Sequence, residues 1–125
     1  MGTRADFYVG RGEDADWLGS IGWDGCFSGV PLSIRCATRP AAFRQAVADF
    51  LASREDATVP ADGWPWPWDD SRTTDYAYAF DGRKVWASLF GRAWRAAGGE
   101  EPEWPDGQVA VFPNMKARQS GIGPA

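Results

Sequence analysis

The chain of 125 residues carries 13 basic and 17 acidic side chains, no histidine and two cysteines, with 44% hydrophobic and 14% aromatic residues. That length fits one domain, 1–125, able to bury roughly two-thirds of the surface its unfolded form exposes, and the apolar content separates it from disordered chains. A formal charge of −4 argues against direct nucleic-acid binding, which draws its affinity from basic contacts to phosphate, and the lack of histidine excludes a Ser-His-Asp triad, a Cys-His dyad and a His-containing zinc site.

Cys26 and Cys36 are too few for a four-thiolate site and are expected to be buried free thiols. No cofactor or metal is expected. No apolar run approaches the ~20 residues of a membrane span, and the first residues lack the apolar core of a signal peptide. A cytoplasmic location is the resulting expectation, with no membrane partner.

In chain order, residues 6–10 read as a first strand stopped by Gly10-Arg11-Gly12, a turn that offers N–H groups and the Arg11 guanidinium to an anion. Residues 17–23 are strand-like but thinned by glycine, the pattern of a bulged or closely approached strand. Asp24-Gly25 marks a turn, and in the irregular stretch that follows Leu32 and Ile34 can share a face. The clear helix spans about 39–53, with Thr38 as N-cap and Pro40 in its first turn. Phe43, Val47, Phe50 and Leu51 recur at i, i+4, i+7 and i+8, one stripe for packing on a sheet.

Residues 64–68, Trp-Pro-Trp-Pro-Trp, form a stiff polyproline-like strut, because each proline fixes its own φ and extends the residue before it. Asp69-Asp70-Ser71 supplies turn formers. Tyr76, Tyr78 and Phe80 alternate with Ala77 and Ala79, Asp81-Gly82 signals a hairpin, and residues 85–90 return. Residues 108–112 alternate again as a last strand, and the tail 116–125 is expected to be flexible. The sum is a small α+β domain, a mostly antiparallel sheet with one main amphipathic helix on one face.

Two constellations suit function. Trp64, Trp66 and Trp68 beside Asp69, Asp70 and Arg72 have the aromatic and Arg character of binding hot spots, and proline stiffening lowers the entropy lost on docking. Asp75 and Tyr76 follow closely, and with Arg11 complete the candidate ligand- or partner-binding set. The carboxylates Asp24, Asp69, Asp70 and Asp75 offer acid–base or metal chemistry only if they converge. Turn-forming and capping roles account for Asp24 and Asp69 equally well.

Asp6-Phe7-Tyr8-Val9-Gly10-Arg11-Gly12, Trp17-Leu18-Gly19-Ser20-Ile21 with Trp23-Asp24-Gly25, the Trp-Pro repeat with Thr74-Asp75-Tyr76, and Val111-Phe112-Pro113-Asn114-Met115 together resemble a family of small bacteriophage and prophage proteins. The resemblance implies a setting, a phage accessory protein inside a bacterial host, and carries no site residues. The expected function is an intracellular binding protein that inhibits a host antiphage defence component, in the manner of an anti-CRISPR or a signalling-nucleotide sponge. Its partner would be a host protein or a small nucleotide-like ligand, with a homo-oligomer compatible. The alternatives are a small hydrolase or transferase using Asp carboxylates beside a tryptophan-walled pocket, and a virion or assembly component.

Overall fold

The structure, a computed structural model, describes residues 2–104 and 109–119, the Gln119 side chain excepted. Six strands, β1 Ala5–Val9, β2 Asp16–Ile21, β3 Ala57–Thr58, β4 Tyr76–Asp81, β5 Lys84–Leu89 and β6 Arg95–Ala96, form one sheet in the order β3-β2-β1-β4-β5-β6. All neighbours run antiparallel except the central pair, β1 and β4, which are parallel from Ala5↔Tyr76 to Val9↔Phe80. Among the described residues three α-helices pack with it: α1 Leu32–Arg35, α2 Pro40–Ala52 and α3 Met115–Gln119. The chain is thus the α+β domain its pattern predicts, with α2 as the main helix.

Alternation in β1 and β4 divides the interior into two layers. Ala5 and Phe7 of β1 and Tyr76, Tyr78 and Phe80 of β4 face α2, meeting Phe43, Val47 and Leu51. The aromatic rings pack on one another there, Phe7 on Tyr78 at 5.6 Å and Phe43 on Phe80 at 5.6 Å between centroids. The opposite face carries Tyr8, Ala77 and Ala79. Small alanines on that side of β4 leave room that the tryptophan-rich loops and residues 110–115 fill, Met115 at the start of α3 among them.

Several local expectations shift on inspection. The hairpin turns on Gly82-Arg83, one residue later than the Asp-Gly pair suggests, because Asp81 and Lys84 still pair and Gly82 supplies the positive φ of 72°. Thr38 does not cap α2; Arg39 holds that position in extended conformation without a side-chain bond. Residues 32–35 coil into one helical turn that buries Ile34 and leaves Leu32 exposed, so the two do not share a face. In the stretch read as a last strand, Gln108 lies outside the described residues and only Val109 forms a bridge, to Arg92. Residues 115–119 of the tail are helical, anchored by Met115 and by the Asp69 carbonyl, which accepts from the Met115 N–H at 2.7 Å; residues 120–125 lie outside the described part. Neither cysteine is fully buried, and both are free.

Gly19 explains the bulge. Opposite β1, Phe7 pairs with Gly19 and Tyr8 with Trp17, so Leu18 is the extra residue. Gly19 has φ 143°, and a Cβ there would sit 2.5 Å from a Leu51 methyl and 2.6 Å from the Thr58 carbonyl. Gly19→Ala is therefore expected to destabilise by more than about 2 kcal/mol. Gly82→Ala, in open space, should cost only the left-handed backbone penalty of about 1–2 kcal/mol. Urea unfolding of the two variants side by side tests this; equal costs would show that the bulge does not need its glycine.

Candidate functional site

The tryptophan segment leaves β3 at one sheet edge, crosses the face opposite α2, and delivers the chain to β4 beside β1. It does not remain a straight strut: the backbone bends from Trp66 through Asp70. The bend places the Trp66 and Trp68 rings in a stack, 5.5 Å apart and 16° from parallel, where an unbroken three-residue turn would send them to different sides. Trp64 turns inward, 7% exposed, and meets Trp17 edge-on at 5.3 Å. All three indole N–H groups bond within the protein: Trp64 donates to the Trp68 carbonyl at 2.7 Å, Trp66 to Asp6 at 2.7 Å and Trp68 to the Thr74 hydroxyl at 2.9 Å. The Arg4 guanidinium lies 5.6 and 5.5 Å from the Trp66 and Trp68 ring centres, a cation–π arrangement.

Asp6 is the polar residue that holds this layer. It is wholly buried. Ser20 donates to its Oδ1 at 2.5 Å beside the Trp66 indole, and Ser71 donates to its Oδ2 at 2.6 Å. Because each serine hydroxyl has one proton, already directed at Asp6, the next bonds have fixed sense: Trp17 Nε1 donates to Ser20 at 3.0 Å, and the Tyr8 hydroxyl donates to Ser71 at 2.6 Å. Every donor in the chain points toward the carboxylate. Burial nevertheless raises the Asp6 pKa above its ordinary value, against the lowering by Ser20, Ser71, Trp66 and Thr74. Burial likewise pushes the Tyr8 hydroxyl well upward, with the negative charge of Asp6 adding to it.

The nine residues singled out in the sequence separate into groups. Trp66, Trp68, Asp69, Asp70 and Arg72 stay together at the end of the crossing, and Arg4 links them to Asp75, which accepts from the Arg4 backbone N–H at 2.8 Å. Asp70 is N-cap of a short 3-10 turn, Ser71–Thr73, accepting from the Arg72 N–H at 2.9 Å while its carboxylate takes Arg72 Nη2 at 2.8 Å. Tyr76 is on the α2 side of the sheet, its hydroxyl donating to Glu101 at 2.6 Å. Arg11 is at the other end of the parallel pair from Asp75; it bonds Asp81 at 2.9 Å and covers the Trp86 ring at 4.0 Å, so its charge is engaged within the protein. Asp24 pairs with Arg54 at 3.3 Å, away from Asp69, Asp70 and Asp75. Of the four carboxylates Asp69 and Asp70 meet beside Trp68 and Arg72, and among the described residues no three acidic or thiol groups sit together as metal ligands.

What the sequence reading missed is a patch beside Arg72. Leu89 accepts from the Arg92 N–H at 3.0 Å across a tight turn whose middle residues, Phe90 and Gly91, have φ of 50° and 73°. A Cβ on Gly91 would come to 3.1 Å from Arg72, tighter than an ordinary contact, in addition to the strain of its positive φ. Gly91 also accepts from the Ala110 N–H at 2.7 Å, and the Arg92↔Val109 bridge lies next to it, so 90–92 and 109–111 run alongside each other. Phe90, Val109 and Val111 are 54%, 68% and 53% exposed. Two open hollows flank Arg72, about 400 Å³ against Val109–Asn114 and about 480 Å³ lined by Trp68, Asp69, Asp70 and Thr73. The arrangement is a hydrophobic ridge beside the Asp70–Arg72 ion pair.

No protein-family model, curated protein or solved structure matches the chain. Among the described residues no helix is long and apolar enough to cross a membrane.

The Asp6 pKa shift has a sign that can be measured. A carboxyl whose folded pKa lies above the unfolded value is penalised as pH rises between the two values, and the penalty is complete above the folded one. Asp6→Asn keeps an acceptor for Ser20 and Trp66 and removes the titration. Its stability relative to the native protein should therefore rise with pH above about 4 and then level off, as read by urea unfolding across pH 3–8. A difference that falls with pH would mean that the hydrogen bonds to the carboxylate outweigh its burial. Asp6→Leu strands three donors and should lose at least about 3 kcal/mol.

Proposed function

We propose that the protein is a non-catalytic binding module of a phage or prophage, acting in the cytoplasm of the bacterial host, and that it inhibits a host defence component by docking its Phe90–Val109–Val111 ridge on a protein partner. The observation that carries this reading is Phe90. A bulky aromatic in left-handed conformation is a backbone outlier, and this one is more than half exposed, so burial in the protein's own core does not repay the strain. Strain retained at an exposed apolar residue is the signature of a contact surface. Arg72, rigidly paired with Asp70, gives the ridge the aromatic-and-arginine character of binding hot spots.

Asp24 and Asp75 are held by separate cations, Arg54 and Arg4, and although Asp69 and Asp70 share a hollow beside Trp68, Asp70 is committed to Arg72 and to capping residues 71–73, which gives the hydrolase or transferase alternative little support. The tryptophan segment supports the ridge from beneath, since its indole N–H groups are committed internally. The phage setting rests on the sequence resemblance.

Asparagine tolerates the left-handed region better than phenylalanine. Phe90→Asn is therefore expected to raise folding stability by about 0.5–1 kcal/mol while reducing phage plating on a defended host. Val109→Lys and Val111→Lys should leave stability within about 0.5 kcal/mol and impair plating equally. Full plating by all three variants would overturn the proposal. So would light scattering that shows a stable oligomer dissolved by Val111→Lys, because the ridge would then be a self-interface.

A further inference from the structure

The charges of this acidic chain are not evenly mixed. Where the loop between α1 and α2 approaches the β4–β5 hairpin and the chain leaving β6, a cavity of about 320 Å³ is lined by Arg35, Thr38, Arg83, Lys84 and the glycines Gly98 and Gly99, with no carboxylate in its wall. Among the described residues none of the three cations forms an ion pair, and of the three the Lys84 ammonium is engaged over the Trp86 ring at 4.7 Å. In a chain where acidic side chains outnumber basic ones, Arg35 and Arg83 on one concavity make a focused positive potential.

Arg35 is built into this wall. Its Nε donates to the Val30 carbonyl at 3.0 Å, and its Nη1 donates to the carbonyls of Ala97 at 3.0 Å and Gly99 at 3.2 Å. Its guanidinium also lies 5.1 Å from the centre of the Phe27 ring. Those contacts fix the group and leave Nη2 without a hydrogen-bond partner among the described residues. A guanidinium held in place loses little entropy on meeting an anion, and its fork suits phosphate oxygens. The Gly98 and Gly99 N–H groups make no backbone hydrogen bond among the described residues, and a Cβ on Gly99 would meet nothing within 4 Å. Free N–H groups beside cations are the elements of an anion-binding concavity.

We propose that this cavity binds a phosphate-bearing small molecule of mononucleotide size, with Arg35 as the fixed donor and Arg83 closing on the phosphate from the hairpin. Its volume stands near the lower end of ordinary ligand sites, which begin at about 300 Å³, so it takes one phosphate with a compact organic group and not a folded nucleic acid. The site shares no residue with the ridge around Arg72, so it stands or falls separately from the proposed docking function.

Calorimetric titration of the whole protein with adenosine monophosphate, inorganic phosphate and adenosine tests it, with amide NMR shifts to locate the contact. Adenosine monophosphate should bind at least tenfold more tightly than adenosine, with the largest shifts at Thr38, Gly98 and Gly99. The solvent-exposed Arg83→Ser should weaken that binding at least tenfold without altering the unfolding midpoint. If inorganic phosphate binds as tightly as the nucleotide, the organic part has no pocket and the size assignment is overturned. Failure of both phosphates to bind at millimolar concentration, shifts located elsewhere, or affinity unchanged in the Arg83 variant would overturn the site itself.

Discussion

The Asp6 carboxylate lies on the sheet face opposite α2, out of contact with water, and is reached by donors from three separate segments: Ser20 of β2, Trp66 of the crossing loop and Ser71 of the turn that precedes β4. Removing a carboxylate from water costs several kcal/mol, and hydrogen bonds to a charged acceptor return about 1.5–3 kcal/mol each. The two sums are comparable, which is why the group tolerates its position while its pKa still moves upward. What the arrangement secures is placement. A proline-braced loop with three large rings has many ways to lie on a flat apolar surface, and a single buried acceptor with directional partners leaves it one.

From that placement the rest of the second layer follows. With Trp66 tied down, Trp68 stacks on it and bonds Thr74, and the Asp69 carbonyl is presented to the first N–H of α3. Ala77 and Ala79 are small because the rings of Trp64, Trp17 and Phe112 must fit above them. The two faces of β4 thus show opposite solutions to burial, large aromatics under a helix and small residues under aromatic loops. The Trp94 indole lies tilted against Phe112 at 5.2 Å with its N–H unsatisfied among the described residues, a local imperfection of this loop-built layer.

How much of this was written in the sequence depends on the range of the forces involved. The β4–β5 hairpin and α2 were legible because period-two alternation and the Phe43–Val47–Leu51 stripe are local patterns. The bulge at Gly19 was legible because glycine inside a strand has few other uses. The stiffness of residues 64–68 was also legible, but their direction was not: it is set by Asp6, 60 positions away from Trp66, and an aspartate in a strand carries no mark of what will cover it. For the same reason Tyr76 and Arg11 could not be excluded from the tryptophan group until the parallel pairing placed them on another face and at another end. The exposed ridge was missed because Val109 and Val111 alternate as a strand does, and only the loss of all but one bridge shows that they face outward.

The central pair of parallel strands has a kinetic meaning. Its first cross-link joins the Arg4 N–H to Asp75, 71 residues along the chain, so β1 must wait for more than half of the polypeptide before its inner neighbour exists. Closing such a loop forfeits chain entropy before any contact rewards it, and folds dominated by distant pairings assemble slowly. During synthesis β1 and β2 therefore emerge as a ribbon open on both flanks until β3 covers β2, and the β1 flank stays open for longer, until β4 arrives.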